Sequence, residues 1–319
     1  MRLVVMAYQD IGWVALDELL SLGADIAAVV THRDDPGENV WFRSVADRAR
    51  RADLPVLMPA SVNEPEVIAT IARLAPDVIF SFYFRELLSP EVLGLARAAL
   101  NLHGSLLPRY RGRCPVNWVL VHGERETGVT LHHMDAKPDR GDIVAQRAVP
   151  ITDDDTALSL NGKLGEAARL LLRETYPLLV AGKAPRIPQD HARASYFGGR
   201  RPEDGRLQWQ HPARQLYNLV RAVTHPYPGA FTTLRGRPLF VWWARPLDDP
   251  REGVPGEVLE VQKGSGVVVA SGRGSLLLER VALEGDRERR ADELAGQVGI
   301  RAGERLGDVA DVEEVGGHA

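Results

Sequence analysis

Asn101 and His103 stand two residues apart in the stretch NLHGSLLPRYRGR, residues 101–113. The approach AALNLH is hydrophobic and runs into Gly-Ser and then Leu-Leu-Pro, the composition of a buried strand ending in a loop. Side chains two apart on a strand share a face, so a carboxamide and an imidazole point the same way while Leu102 packs. Such a pair has a definite chemistry: the amide can donate to an oxyanion and the ring can move a proton. Asp139, in the loop DAKPDRGD of residues 135–142, could hydrogen-bond the ring, fix its tautomer and raise its pKa above the reference value of about 6.5. Pro138, Asp139, Arg140 and Gly141 also make good turn chemistry, so a plain turn accounts for Asp139 equally well. A hydrogen-bonded structural pair is the corresponding plain reading of Asn101 and His103.

Other polar groups carry less. His122, His132 and His133 lack the i, i+4 spacing of a zinc helix, and adjacent strand residues face opposite ways, so no metal is expected. A single cysteine, Cys114, excludes an internal disulfide framework and any multi-cysteine metal or iron–sulfur site. Arg109, Arg111 and Arg113 form either a solvated loop or a grip on a carboxylate or phosphate, and Arg200 with Arg201 reads the same two ways. Phe240, Trp242 and Trp243 read as the core of a β domain rather than as a platform for stacked bases.

The elements that must position these residues alternate. Apolar runs at residues 3–8, 25–32, 54–58, 78–83 and 100–103 read as strands, with helical patterns at 12–22, 45–52, 64–74 and 90–97 between them. That alternation predicts a doubly wound, mostly parallel sheet covered on both faces. Active sites in such sheets collect at strand ends, where Asn101 and His103 lie. The first strand–helix turn, AYQDIGW, has no G-x-G-x-x-G, and no G-x-x-x-x-G-K-[ST] occurs, so neither the dinucleotide nor the triphosphate glycine loop is present. Residues 127–134 and 143–149 read as further strands, and a helix with Leu160, Leu164, Ala167 and Leu171 as its stripe runs to about residue 179. The Pro-, Gly- and Arg-rich stretch after Gly182 reads as a linker. From Pro228 onward, short apolar runs separated by turn signals suggest a small antiparallel barrel or sandwich.

Composition bounds the rest. The chain has 319 residues, 45% hydrophobic and 26% charged, with a net charge of −4, so no global field favours nucleic acid or an anionic membrane. No apolar run is long enough to span a bilayer, and the N-terminus turns polar too soon for a signal peptide, so the expected location is the cytoplasm.

The motifs together resemble a known family. Asn101-Leu-His103, then Ser105-Leu-Leu-Pro108, with Asp139 in DRGDI, is similar to the signature of the 10-formyltetrahydrofolate-dependent formyltransferases. THRDDPGE, DVIFSFYFR, LPRYRGRCPVNWVLVHGERETGVTLHHM, YFGGRRPEDG and RAVTHPYPGAF extend the likeness over essentially residues 1–306. They most resemble the domain that formylates UDP-4-amino-4-deoxy-L-arabinose in lipid A modification.

The resemblance implies a Rossmann-like catalytic domain over 1–185, a linker at 186–206, an OB-like β-barrel over 207–306 and a tail at 307–319. It implies that Asn101 stabilises the tetrahedral intermediate, His103 transfers the proton and Asp139 raises the imidazole pKa. The co-substrate would be 10-formyltetrahydrofolate, with Arg85, Glu86, Leu87, Arg113, Asp135, Ala136, Lys137, Pro138 and Asp139 along the folate and no metal. Direct attack by an amine leaves no nucleophile's role for Ser105 or Cys114. Asp135, Ala136 and Pro138 depart from the family's usual loop, which leaves backbone rather than side-chain contacts there. The expected partner is a small sugar nucleotide, without nucleic acid or membrane insertion. Methionyl-tRNA formyltransferase and formyltetrahydrofolate hydrolase are the alternatives. Against the first, the residues from Arg201 onward hold 16 Lys/Arg and 18 Asp/Glu, which is not the basic surface that phosphate contacts favour.

Overall fold

Near-continuous apolar runs build the central sheet. VIFSF is buried at every position, as expected of a parallel strand covered on both faces. A computed structural model describes residues 1–247 and 253–307. The chain begins β1 (Arg2–Ala7), α1 (Gln9–Ser21), β2 (Asp25–Val30), α2 (Val45–Arg50), β3 (Val56–Leu57), α3 (Pro65–Leu74), β4 (Val78–Phe82), α4 (Pro90–Leu93) and β5 (Ala98–His103). It continues with β6 (Arg111–Gly112), α5 (Pro115–Val121), β7 (Glu126–His133), β8 (Ile143–Pro150), α6 (Ala157–Val180) and β9 (Tyr196–Phe197).

Seven strands order as β3-β2-β1-β4-β5-β7-β8. Neighbours from β3 to β5 are parallel, while β7 pairs antiparallel with both β5 and β8. The strand order reverses between β1 and β4, and ligands in open sheets bind beyond the strand ends at such a switch. Local chemistry sets the helix limits: Ser44 caps α2 and Ser89 caps α4, each accepting from the backbone N–H three residues on. The helix expected over 90–97 stops after Leu93 at Gly94, which leaves Ala98 to start β5.

Two units divide the chain. Residues 1–116, 125–153 and 159–199 form the first; 117–124, 154–158 and 200 onward form the second. The segment expected as a linker is bonded through much of its length. Ile187 exchanges backbone hydrogen bonds with Ile143 at 2.7 and 2.9 Å, and β9 pairs with β6. Its Pro, Gly and Arg content reflects irregular backbone, not freedom.

The second unit carries α7 (Ala213–Val223), β10 (Ala230–Leu234), β11 (Arg237–Leu247), β12 (Val258–Gln262), β13 (Gly266–Ala270), β14 (Ser275–Leu283), β15 (Arg289–Arg290) and α8 (Ala291–Val298). Its antiparallel sheet orders as β10-β11-β14-β13-β12, with β15 against β14. The edge strands β10 and β12 do not pair with each other among the described residues, so the expected barrel is not closed by strand pairing. Instead Leu306 N–H donates to Gly256 O and Gly307 N–H to Thr233 O, both at 2.8–2.9 Å, and the chain itself bridges the two edges. Leu239, Val241 and Ala244 fill the core from β11, while Phe240, Trp242 and Trp243, expected there, are half-buried. Trp242 stacks on His225 at 3.8 Å and Trp243 meets Tyr217 edge-on. Apart from Gly307, the expected tail lies outside the described residues. No helix among the described residues is long and apolar enough to cross a membrane.

Candidate active site

β5 delivers Asn101 and His103 to one face, as their spacing requires, and β7 returns antiparallel beside it. In that register Asn101 lies opposite His132 and His103 opposite Thr130. Directly opposed residues of an antiparallel pair share a face. The β7–β8 pairing shifts register between Leu131 and His132, a bulge of the kind that re-aims a side chain next to a site.

Hydrogen-bond partners settle the proton positions. His103 Nε2 lies 2.7 Å from the Tyr110 carbonyl, and a carbonyl only accepts, so Nε2 carries the proton. In the neutral ring Nδ1 therefore holds the lone pair, and it sits 3.6 Å from Asp139 Oδ1. By the same logic His132 Nδ1 donates to the His133 carbonyl at 2.7 Å, so its Nε2 accepts from Asn101 Nδ2 at 3.1 Å. That bond orients the Asn101 amide, leaving one Nδ2–H and the carbonyl oxygen to the site. His132 Nε2 is also 3.6 Å from Asp139 Oδ1. At that separation neither imidazole–carboxylate contact is a hydrogen bond, and each is a charge contact only when its ring is protonated.

The loop that carries Tyr110 is tied down by its own polar residues. Ser105 Oγ donates to Arg109 O at 2.7 Å, and Thr130 Oγ1 donates to Ser105 O at 2.6 Å. Thr130 Oγ1 also accepts from Leu107 N–H and from Gln146 Nε2. Ser105 is thus engaged as a loop staple.

Asp139 is placed by its neighbours. It adopts φ +58°, a left-handed conformation that Asp tolerates better than most residues. Its Oδ2 accepts from Gly112 N–H at 2.8 Å, and its carbonyl accepts from Gln189 Nε2 at 3.0 Å. Gly112 itself has φ +99°, and a Cβ there would sit 2.2 Å from Phe197 O, so only glycine lets β6 approach β9 so closely. Gly141 meets the same limit, since a Cβ would lie 2.0 Å from His133 O. Burial works against ionisation of Asp139. The His103 and His132 imidazoles and the Gly112 N–H outweigh it and hold the carboxyl well below the usual carboxylate range. The carboxylate therefore stays charged well into the acid range. For Asp139→Asn, an imidazolium formed at His103 loses its counter-charge, and kcat is expected to fall about 10²-fold. An unchanged kcat in steady-state kinetics would make Asp139 a turn residue only.

The other expected residues are arranged differently. Glu86 is turned inward, accepting from Ser61 Oγ, Val62 N–H and Asn63 Nδ2, and Arg85 pairs with Glu38 above the Tyr8 ring. Leu87 is 71% exposed. Phe84, Leu88 and Met134 pack on one apolar cluster, which brings the 84–88 turn beside the start of the 135–139 loop. Within that loop Asp135 Oδ1 accepts from Lys137 N–H, and residues 135–138 are exposed. Arg113 is exposed, with its N–H given to Phe197 O. No hydrogen bond or ion pair joins Arg85, Glu86 or Leu87 to His103 or Asp139 among the described residues. His132 and Gln189 were missed by sequence reasoning. Strand parity was the available signal for His132, because one of two adjacent histidines on β7 must face Asn101. Gln189 gave none.

An oriented amide, a ring with one open nitrogen and a charged carboxylate at a sheet end define a site suited to acyl transfer. A formyl transferase family model matches residues 9–175 and a formyl transferase C-terminal domain model matches 200–298. The chain belongs to the formyl transferase family. Its fold is similar to HypX from Aquifex aeolicus in complex with tetrahydrofolic acid, at 19% identity and TM-score 0.64 over 93% of this chain. The chain spans about half the length of HypX, 47%. It also resembles an N-formyltransferase from Helicobacter canadensis in complex with folinic acid and dTDP-3-aminofucose, at 17% identity and TM-score 0.65, covering 90% of this chain and 99% of that one. A methionyl-tRNA formyltransferase from Clostridium thermocellum matches at 16% identity and TM-score 0.56, over 77% of this chain and 93% of that one.

Proposed function

We propose that the chain transfers a formyl group from 10-formyltetrahydrofolate to the amine of a nucleotide-linked 4-amino sugar, with UDP-4-amino-4-deoxy-L-arabinose the first acceptor to try. The observation that carries the reading is the open Nδ1 of His103 facing the Asp139 carboxylate beside an Asn101 amide oriented by His132. The folate would supply a formyl carbon on a nitrogen leaving group. Exposed Leu87, with the partly buried Phe84 and Met134 beside it, offers apolar surface that suits a flat ring, with the backbone of 85–87 and 135–139 at its edges.

The residues then divide the work. As the amine bonds to the formyl carbon, the remaining Asn101 N–H donates to the carbonyl oxygen that takes up charge. His103 Nδ1 receives the proton that the amine gives up, and Asp139 stabilises the imidazolium so formed. When the bond from carbon to the folate nitrogen breaks, Nδ1–H returns its proton to that nitrogen and the ring is reset. No covalent enzyme intermediate forms.

The sugar acceptor draws support from the Helicobacter canadensis neighbour, whose ligand is a dTDP-amino sugar and whose whole length this chain matches. The near-neutral balance of charge after Arg201 favours a small acceptor over tRNA. A panel of amino-sugar nucleotides and initiator tRNA, incubated with 10-formyltetrahydrofolate and read by mass spectrometry, tests the reading. One amino-sugar nucleotide should gain a single formyl group. Formylation of the tRNA alone, or formate released at the full rate without any acceptor, would replace it with one of the two alternatives.

A further inference from the structure

Arg111 is a charge in an unusual place. It is 1% exposed, and among the described residues no carboxylate forms a hydrogen bond or ion pair with its guanidinium. Nε and Nη2 both donate to Gln189 Oε1, at 3.2 and 2.5 Å; Nη1 donates to Tyr196 Oη at 2.7 Å and Nη2 to His191 Nδ1 at 2.9 Å. Every one of these partners is formally neutral in this arrangement. A buried cation without a counter-ion is destabilising beside an apolar residue of similar size, so stability does not account for it.

What the guanidinium supplies is one-way chemistry. It can only donate, so it forces Gln189 to present its oxygen to Arg111 and its NH₂ to the opposite side. On that side Gln189 Nε2 donates to the carbonyls of Asp139 and Gly141, at 3.0 and 2.7 Å, and these only accept. The amide orientation is thus determined from both ends. Meanwhile the residue after Arg111, Gly112, gives its N–H to the Asp139 carboxylate. One short strand and one amide grip the main chain and the side chain of Asp139 together.

We propose that Arg111 and Gln189 are positioning residues for the reaction, a donor-only relay that holds the left-handed Asp139 turn so that its carboxylate meets Nδ1 of His103. The proposal rests on the formyl-transfer reading for its kinetic consequences and on the bonding pattern alone for its structural ones. The titratable groups facing the carboxylate are His103 from β5 and His132 from β7; those facing the guanidinium are His191 and Tyr196.

Gln189→Glu separates positioning from support. The new carboxylate keeps an acceptor, now charged, for Arg111, but it loses both donors to the Asp139 turn. The melting temperature should hold, while kcat falls about ten- to a hundredfold, as small displacements of a reacting group do. Exchange of the Gly112 amide proton, measured by NMR without any substrate, should quicken about tenfold as its acceptor loosens. In an Asp139→Asn background the same change should lower kcat less than about twofold further, since coupled residues are not additive.

An unchanged kcat and Gly112 exchange in Gln189→Glu overturns the proposal, and so does a full multiplicative loss in the double variant. Should Gln189→Glu fail to fold, Arg111→Lys decides, because a lysine keeps the charge but cannot hold the amide oxygen from two nitrogens. It should reproduce the lowered kcat and the quickened Gly112 exchange, and wild-type values there would overturn the proposal. The amide-exchange measurement stands even if no acceptor is formylated, so the two readings fail separately.

Discussion

His103→Ala is expected to lower kcat about 10²–10⁴-fold, the usual span for loss of a positioned general base. The argument is one of atoms. Nε2 is committed to the Tyr110 carbonyl, so the proposed proton transfer rests on Nδ1, and no other group with an open lone pair faces Asp139 from β5. Folate affinity should change little, because the ring is 6% exposed and offers a ligand mainly that one nitrogen. Single-turnover kinetics on pre-bound substrates, beside equilibrium binding of the folate, make the test. Weakened folate binding with an unchanged rate of the bound complex would remove His103 from the chemistry. Added imidazole that restores part of the rate would strengthen the assignment.

Asn101→Ala should cost about 10²–10³ in kcat with modest change in KM, since an oxyanion donor acts mainly once charge develops. Asn101 is half-buried, and its Nδ2 already serves His132, so one N–H remains for the substrate. Steady-state kinetics on the identified acceptor read this directly. A loss confined to KM would make Asn101 a binding residue. Asn101→Asp is the sharper companion, because it keeps the shape but replaces the donor with a carboxylate that repels an oxyanion.

Much of this arrangement could be read from the chain. The alternating strands and helices gave the parallel half of the sheet, and the i, i+2 spacing placed Asn101 and His103 on one face. Asp139 stood between two readings until the structure supplied Gly112 N–H and the facing ring. The contribution of His132 depends on an antiparallel register that no local pattern encodes; it follows only once β7 is known to return beside β5. Gln189 sits in a stretch whose proline, glycine and arginine content resembles a linker, because irregular backbone held by side chains has the same composition as loose backbone. Arg111 looked like one of three loop arginines, and only its burial among neutral groups sets it apart from Arg109 and Arg113. The bridge from residues 303–307 across the edges of the second sheet likewise has no sequence period to announce it.

Gln189 reaches the Asp139 and Gly141 carbonyls from 50 and 48 positions further along the polypeptide. Contacts so distant form late, after the entropy of closing the intervening loop has been met. Until the polypeptide has passed α6 and turned back upon its own sheet, the Asp139 carboxylate has the Gly112 N–H within reach, but its turn lacks the amide that binds both carbonyls. On the positioning role proposed for Gln189, the aligned form of the site is completed only at that point in synthesis.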